Sequence, residues 1–170
     1  IQDYNLNLKA LTHNWYAGGC GTYFGIDTTN YNAIKLFVKG TGLQSGYLVF
    51  ELFDDDNNNW EVEVNPLVHS ETKYDDKFIY TLDVNWSGWR VVILKLDDFT
   101  DANQGIGDDI FNPYQKNGSG GLLQMQLILL AKSRVIKPEL SIDLIKVYYQ
   151  DNIDYSQPNT ESDQQDDFFF

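Results

Sequence analysis

The side chains of this chain that can do chemistry are mainly oxygen donors and aromatic rings. Among its 170 residues are 25 Asp and Glu, 11 Tyr and four Trp, but two histidines and one cysteine. With only His13 and His69 a multi-histidine metal centre is excluded. Neither is flanked by a nucleophile motif such as G-x-S-x-G, which would mark a Ser/His/Asp hydrolase. Cys20, alone, closes no intrachain disulfide and no cysteine zinc cluster. Glycoside cleavage asks for two carboxylates about 5–10 Å apart, a requirement that so acidic a chain meets by accident. The residue types favour recognition over catalysis. Tyr and Trp present an apolar face with a polar edge, and amides and carboxylates supply directed donors and acceptors beside them. Such rings suit half-exposed sites where an apolar face meets a polar ligand.

Charge narrows the partners. A formal charge of −13 and a pI near 4.3 speak against nucleic acid and anionic membrane, both of which need a Lys/Arg surface. No apolar run approaches the ~20 residues that span a bilayer, the longest being Leu127 to Ala131, so no membrane insertion is expected. A chain of this length holds one core, and 42% hydrophobic residues are enough to fill it. The chain opens at Ile1 rather than Met, as a processed or excised piece of a larger multidomain protein or assembly would.

These side chains must be positioned by strands. Period-two alternation recurs over short runs bounded by Gly, Asn and Asp, and no amphipathic helix longer than two turns is visible. Strands are expected at Ala33–Lys39, Gly46–Phe53, Trp60–Val64, Phe78–Val84, Trp89–Leu96, Leu122–Ala131 and Leu140–Tyr149, which makes the fold all-β and a sandwich. Asp54 to Asn59 reads as a hairpin tip. It lacks the EF-hand spacing, so no dedicated calcium site is expected at Asp54 to Asp56. Alternation places Leu48, Phe50 and Leu52 in the core and Tyr47, Val49, Glu51 and Phe53 opposite. Leu123, Met125, Leu127 and Leu129 form an apolar face, and Gln124 and Gln126 lie on the mixed face behind it. There their amides either meet sugar hydroxyls or simply meet solvent. Residues 1–149 read as the folded domain and 150–170 as a polar, acidic tail or linker. Its closing Phe168-Phe169-Phe170 either docks on a partner or marks the cut end of a longer polypeptide.

Four segments resemble the family 11 carbohydrate-binding modules and, more loosely, the sandwich domains of complex I assembly factors. They are Ile1-Gln2-Asp3-Tyr4-Asn5, DTTNYNAIKLFVKGTG from Asp27 to Gly42, NWSGWRVVILKLDDF from Asn85 to Phe99, and SIDLIKV from Ser141 to Val147. The resemblance implies a jelly-roll β-sandwich of two antiparallel sheets and a non-catalytic module, not an enzyme. It implies binding of a β-glucan-type polysaccharide in a concave, aromatic-lined cleft, with structural calcium at the rim, in an extracellular or cell-surface setting. Tyr16 and Asp56, the latter before Trp60, fall at the family's cleft positions, with Trp15 and Tyr23 beside Tyr16. Trp60, Gln124 and Gln126 complete the expected ligand set, and Asp3, Asn5 and Asp143 the expected calcium ligands. The family's Arg is absent from Thr100 to Gln104, and Leu129 or Leu130 stands where the family has a cleft Tyr, so the glycan need not be mixed-linked glucan. Trp86 is expected at the sandwich edge, and Trp89 either there or on the sugar. A protein-interaction or structural sandwich within a larger assembly is the alternative.

Overall fold

The computed structural model describes residues 5–11, 14–69, 71–115, 120–133 and 137–149, and the backbone of 168–169. Its strands are β1 (Leu6–Lys9), β2 (Tyr16–Ile26), β3 (Ala33–Thr41), β4 (Gly46–Asp55), β5 (Asp76–Val84), β6 (Ser87–Lys95), β7 (Thr100–Asp101), β8 (Gly121–Leu130), β9 (Glu139–Tyr148) and β10 (Phe168–Phe169), with one 3-10 turn at Leu96–Asp98. They form a jelly-roll sandwich of two antiparallel sheets. One is ordered β1-β9-β3-β6 with β10 also on β9, and the other β2-β8-β4-β5-β7.

The core follows from alternation. Leu48, Phe50 and Leu52 of β4 are fully buried in one cluster with Leu122, Met125, Leu127 and Leu129 of β8 and Ile34, Leu36 and Val38 of β3. A bulge in β8 opposite Phe53 and Asp54 brings Leu122, rather than Leu123, into this cluster. Each large apolar side chain so buried contributes roughly 1.5–3 kcal/mol. Trp86 closes one end of this core, its indole N–H donating to the Val38 carbonyl at 3.3 Å.

Three expectations are corrected. Trp60–Val64 is not a strand; its only ladder contact is an isolated bridge from Val64 to Thr72. Asp54–Asn59 is therefore no tight hairpin tip: β4 pairs with β5 as far as Asp54 and Asp76, and residues 56–75 form one long loop between them. Conversely, β2 has no counterpart among the expected strands, because four glycines lower its intrinsic β-propensity. It forms through pairing with β8. The backbone of Phe168 and Phe169 pairs with Val147 and Lys146 of β9.

Candidate functional site

Because neighbouring strands are in register, the outward residues of the second sheet fall in rows across β2, β8, β4 and β5. One row is Gly21, Gln126, Glu51 and Ile79, and the next Tyr23, Gln124, Phe53 and Lys77. In the other direction come Gly19, Ile128, Val49 and Thr81, then Tyr16, Leu130, Tyr47 and Asp83. Strand β2 changes phase on the way. A bulge sets Tyr16 opposite Leu130 and Gly18 opposite Leu129, leaving Ala17 as the extra residue. Tyr16 therefore shares the outer face with Gly19, Gly21 and Tyr23, whereas strict alternation would have turned it inward.

Gly19 and Gly21 send no side chain into this face, and a groove of about 300 Å³ runs over them, walled by Gln124, Gln126 and Ile128 with Tyr16 at one end. A Cβ at Gly21 would meet Gln126 Cγ and the Met125 carbonyl at 3.0 Å, and one at Gly19 the Leu127 carbonyl at 2.9 Å. Bare glycine is what leaves the groove open. Tyr16, at one end, and Tyr23, in the row beyond Gly21, each stand beside a second aromatic residue. Trp15 lies edge-on to Tyr16 with ring centres 6.1 Å apart. The Tyr23 hydroxyl donates to the Trp60 carbonyl, and the Trp60 ring lies over Gly25, where an added Cβ would be 3.2 Å from it. All four rings are exposed. Tyr16 and Tyr23 stand opposite Leu130 and Gln124 of β8, a separation of about 20 Å at strand rise.

Among the described residues neither Gln124 nor Gln126 bonds its amide to the protein. The carboxylates on the same face are engaged: Glu51 faces Lys77 at 4.0 Å, and Asp83 pairs with Lys132. Trp89, by contrast, lies on β6 of the other sheet, with Lys39 above its ring.

Asp56 is not on the strand face. Its carboxylate accepts the Asp76 amide at 2.8 Å and belongs to an acidic cluster at the end of β4, β5 and β7. One oxygen each from Asp56, Asp76 and Asp108 lie within 4.8 Å of one another, as do oxygens of Asp76, Asp101 and Asp109. Asp76 is fully buried, and neither of its carboxylate oxygens has a hydrogen-bond partner. The amides of Asp108 and Ile110 approach it and favour its charged form without closing a bond. Burial, then repulsion from Asp101 and Asp108, pushes Asp76 up to about 6. Burial, with repulsion from Asp76, Asp54 and Asp108, pushes Asp56 up to about 8, against the pull of the Asp76 amide. These four segments are far apart in sequence, which is why spacing rules aimed at Asp54–Asp56 alone missed the cluster. Asn5 and Asp143 stand together elsewhere, at an apolar cleft of about 450 Å³ between the sheets beside β1 and β2. Asp143 spends one oxygen on the Leu144 amide at 2.8 Å, and Asp3 lies outside the described residues, as does His13. His69 is exposed on the β4–β5 loop.

No protein-family model matches the chain, and no curated protein resembles it significantly. Among solved structures, a family 11 carbohydrate-binding module from a cellulosomal cellulase of Clostridium thermocellum superposes with a TM-score of 0.52 at 10% identity, over 86% of this chain and 75% of that one. A second, the Clostridium thermocellum family 11 module in complex with a β-1,3-1,4-mixed-linked tetrasaccharide, gives 0.50 at 10% identity, over 86% and 85%. The fold is that of these modules.

Proposed function

We propose that the protein is a non-catalytic carbohydrate-binding module that lays a β-glucan-type chain along β2 and β8. Tyr16 and Tyr23, with Trp15 and Trp60, stack on the C–H faces of the sugars, and Gln124 and Gln126 meet their hydroxyls. The observation that carries this reading is the glycine-floored groove, with unspent amides in its wall, Tyr16 at one end and Tyr23 in the row beyond Gly21. Support comes from the tetrasaccharide-bound module of the same fold. A binding role fits better than hydrolysis because the carboxylates of this face, Glu51 and Asp83, are held by lysines. Polysaccharide of this kind is met outside the cell, so the setting we assign is extracellular or cell-surface, as a piece of a larger multidomain protein. We assign structural calcium as well, since the clustered donors are all hard oxygens.

The test is native affinity electrophoresis through soluble β-glucans, xyloglucan, xylan and mannan. Retardation by a β-glucan is expected, lost in Tyr16→Ala and in Gly21→Val, which fills the groove. Unchanged mobility in every gel overturns the reading in favour of a protein-interaction sandwich.

A further inference from the structure

We propose that the calcium site lies at the acidic end of the second sheet and is built round Asp76, which is common to two overlapping sets of carboxylates. The inference rests on the reading that the protein carries structural calcium, and it moves that ion away from Asp3, Asn5 and Asp143.

Asp76 carries the argument. A carboxylate that is fully buried with both oxygens unpartnered is costly unless something positive stands against it. Among the described residues no cation of the protein does: the amides of Asp108 and Ile110 approach it without closing a bond, no ion pair engages Asp56, Asp76, Asp101, Asp108 or Asp109, and the nearby Lys77 is turned to Glu51. What surrounds Asp76 is more carboxylate, in the two sets whose oxygens lie within 4.8 Å of one another. Two oxygens bound to one Ca²⁺ at 2.3–2.6 Å stand at most about 4.6–5.2 Å apart, so each set fits inside the span of a single ion. Mg²⁺, with bonds of about 2.0–2.1 Å and a reluctantly shed water shell, spans less. There is no nitrogen or sulfur donor in either set, which excludes the softer metals as the natural occupants.

The chain over the site is shaped to it. Gly107 has φ +74°, and a Cβ there would come within 2.3 Å of Asp56 Oδ2 and 2.4 Å of Asp76 Oδ1. Only glycine lets the 102–115 loop pass so close over the carboxylates. The other aspartates are held in place by amides: Asp101 by Asn103 at 2.8 Å, Asp108 by Ile110 at 2.9 Å and Asp109 by Gly105 at 2.6 Å. The bound ion joins the ends of β4, β5 and β7 to that loop, and main-chain carbonyls and water complete its six to eight ligands.

The experiment uses the full chain after chelation, with calcium binding followed by calorimetry and thermal unfolding, on the wild type, Asp76→Asn, Asp108→Asn and Asp143→Asn. Ca²⁺ at a hundred times its Kd should raise the wild-type Tm by roughly 5–10 °C, reversed by EDTA. Asp76→Asn should weaken binding at least tenfold and abolish the shift. Asp108→Asn, on an exposed loop, should weaken both while folding normally, and Asp143→Asn should leave both intact. If Asp143→Asn loses the response while Asp76→Asn and Asp108→Asn keep it, the ion sits at the other end of the molecule: this inference fails and the calcium reading stands. Absence of heat and of any Tm shift in the wild type up to about 5 mM Ca²⁺, above the range of extracellular sites, overturns both.

Discussion

Asp75 and Glu63 meet within the long loop that joins β4 to β5. The Glu63 amide donates to Asp75 Oδ2 at 3.4 Å, while Asp75 Oδ1 and Glu63 Oε2 are both buried with no partner. Burial, then the neighbouring Glu63 carboxylate, pushes Asp75 up to about 7. For Glu63 the push from burial is outweighed by hydrogen bonds from Asn57 and Asn59, which bring it below the ordinary range. The proton of the pair therefore sits on Asp75. An unfolded Asp releases its proton near pH 3.9 and the folded one holds it to about 7. Between those values the native state binds more protons, and stability falls as pH rises. Asp76 and Asp56, raised to about 6 and 8, act with the same sign. The urea midpoint of EDTA-treated protein should thus be higher at pH 5 than at pH 8, and Asp75→Asn should flatten part of that fall. A midpoint that climbs with pH would show that these aspartates ionise freely. None of this was legible in the sequence, because Glu63 and Asp75 lie on one irregular loop and the partners of Asp76 come from three other segments. Gln124, Gln126, Tyr16 and Tyr23 were easier to single out, by alternation or by resemblance. The glycines that open the space between them carry no side chain to notice.

At the scale of elements, the strands read from the sequence are those whose own residues favour β structure, such as β4 and β8 with their recurring aliphatic residues, although the bulge that brings Leu122 into the core is a register effect. Strand β2 escapes because its stability comes from its partner, and its bulge, which turns Tyr16 outward, is a register effect that only pairing with β8 reveals. Trp60–Val64 errs in the other direction: aromatic and β-branched types are present, but with a single bridge to Thr72 there is no ladder to hold them. Strand β6 carries a different liability. It is the edge of the first sheet, nine residues long, with Trp89, Val91 and Ile93 44%, 50% and 39% exposed along one side. An open edge with an apolar stripe is a template for pairing with another chain. Val91→Lys should suppress concentration-dependent association in analytical ultracentrifugation while changing stability by no more than about 0.5 kcal/mol. Association that persists unchanged would place the contact elsewhere, and a wild type monomeric at every concentration would show that twist and the neighbouring Lys39 and Arg90 already protect the edge.

The net charge of −13 is not spread evenly over the whole molecule. Strands β1, β3, β6 and β9 carry six basic residues and two acidic ones, whereas β2, β4, β5, β7 and β8 carry one basic and six acidic. The sheet with the groove is thus the acidic one, with Asp54, Asp55 and Asp76 buried at its end, and on the groove face Lys77 is spent on Glu51 and Lys132 on Asp83. A neutral glucan approaches that face without penalty, and its contacts with rings and amides are indifferent to salt. A polyanion meets a repulsive field that reaches about a Debye length, ~10 Å at 0.1 M ionic strength. Gels containing uronate-rich or sulfated polymers should therefore leave the protein's mobility unchanged at low salt, and binding to neutral β-glucan should survive about 0.5 M NaCl with little loss. Retardation by a polyanion that weakens as salt is added would mean that the basic sheet, with the exposed ring of Trp89 at its edge, is the face that binds. Retardation that appears only with Ca²⁺ present would instead mean that the cation bridges polymer to aspartate.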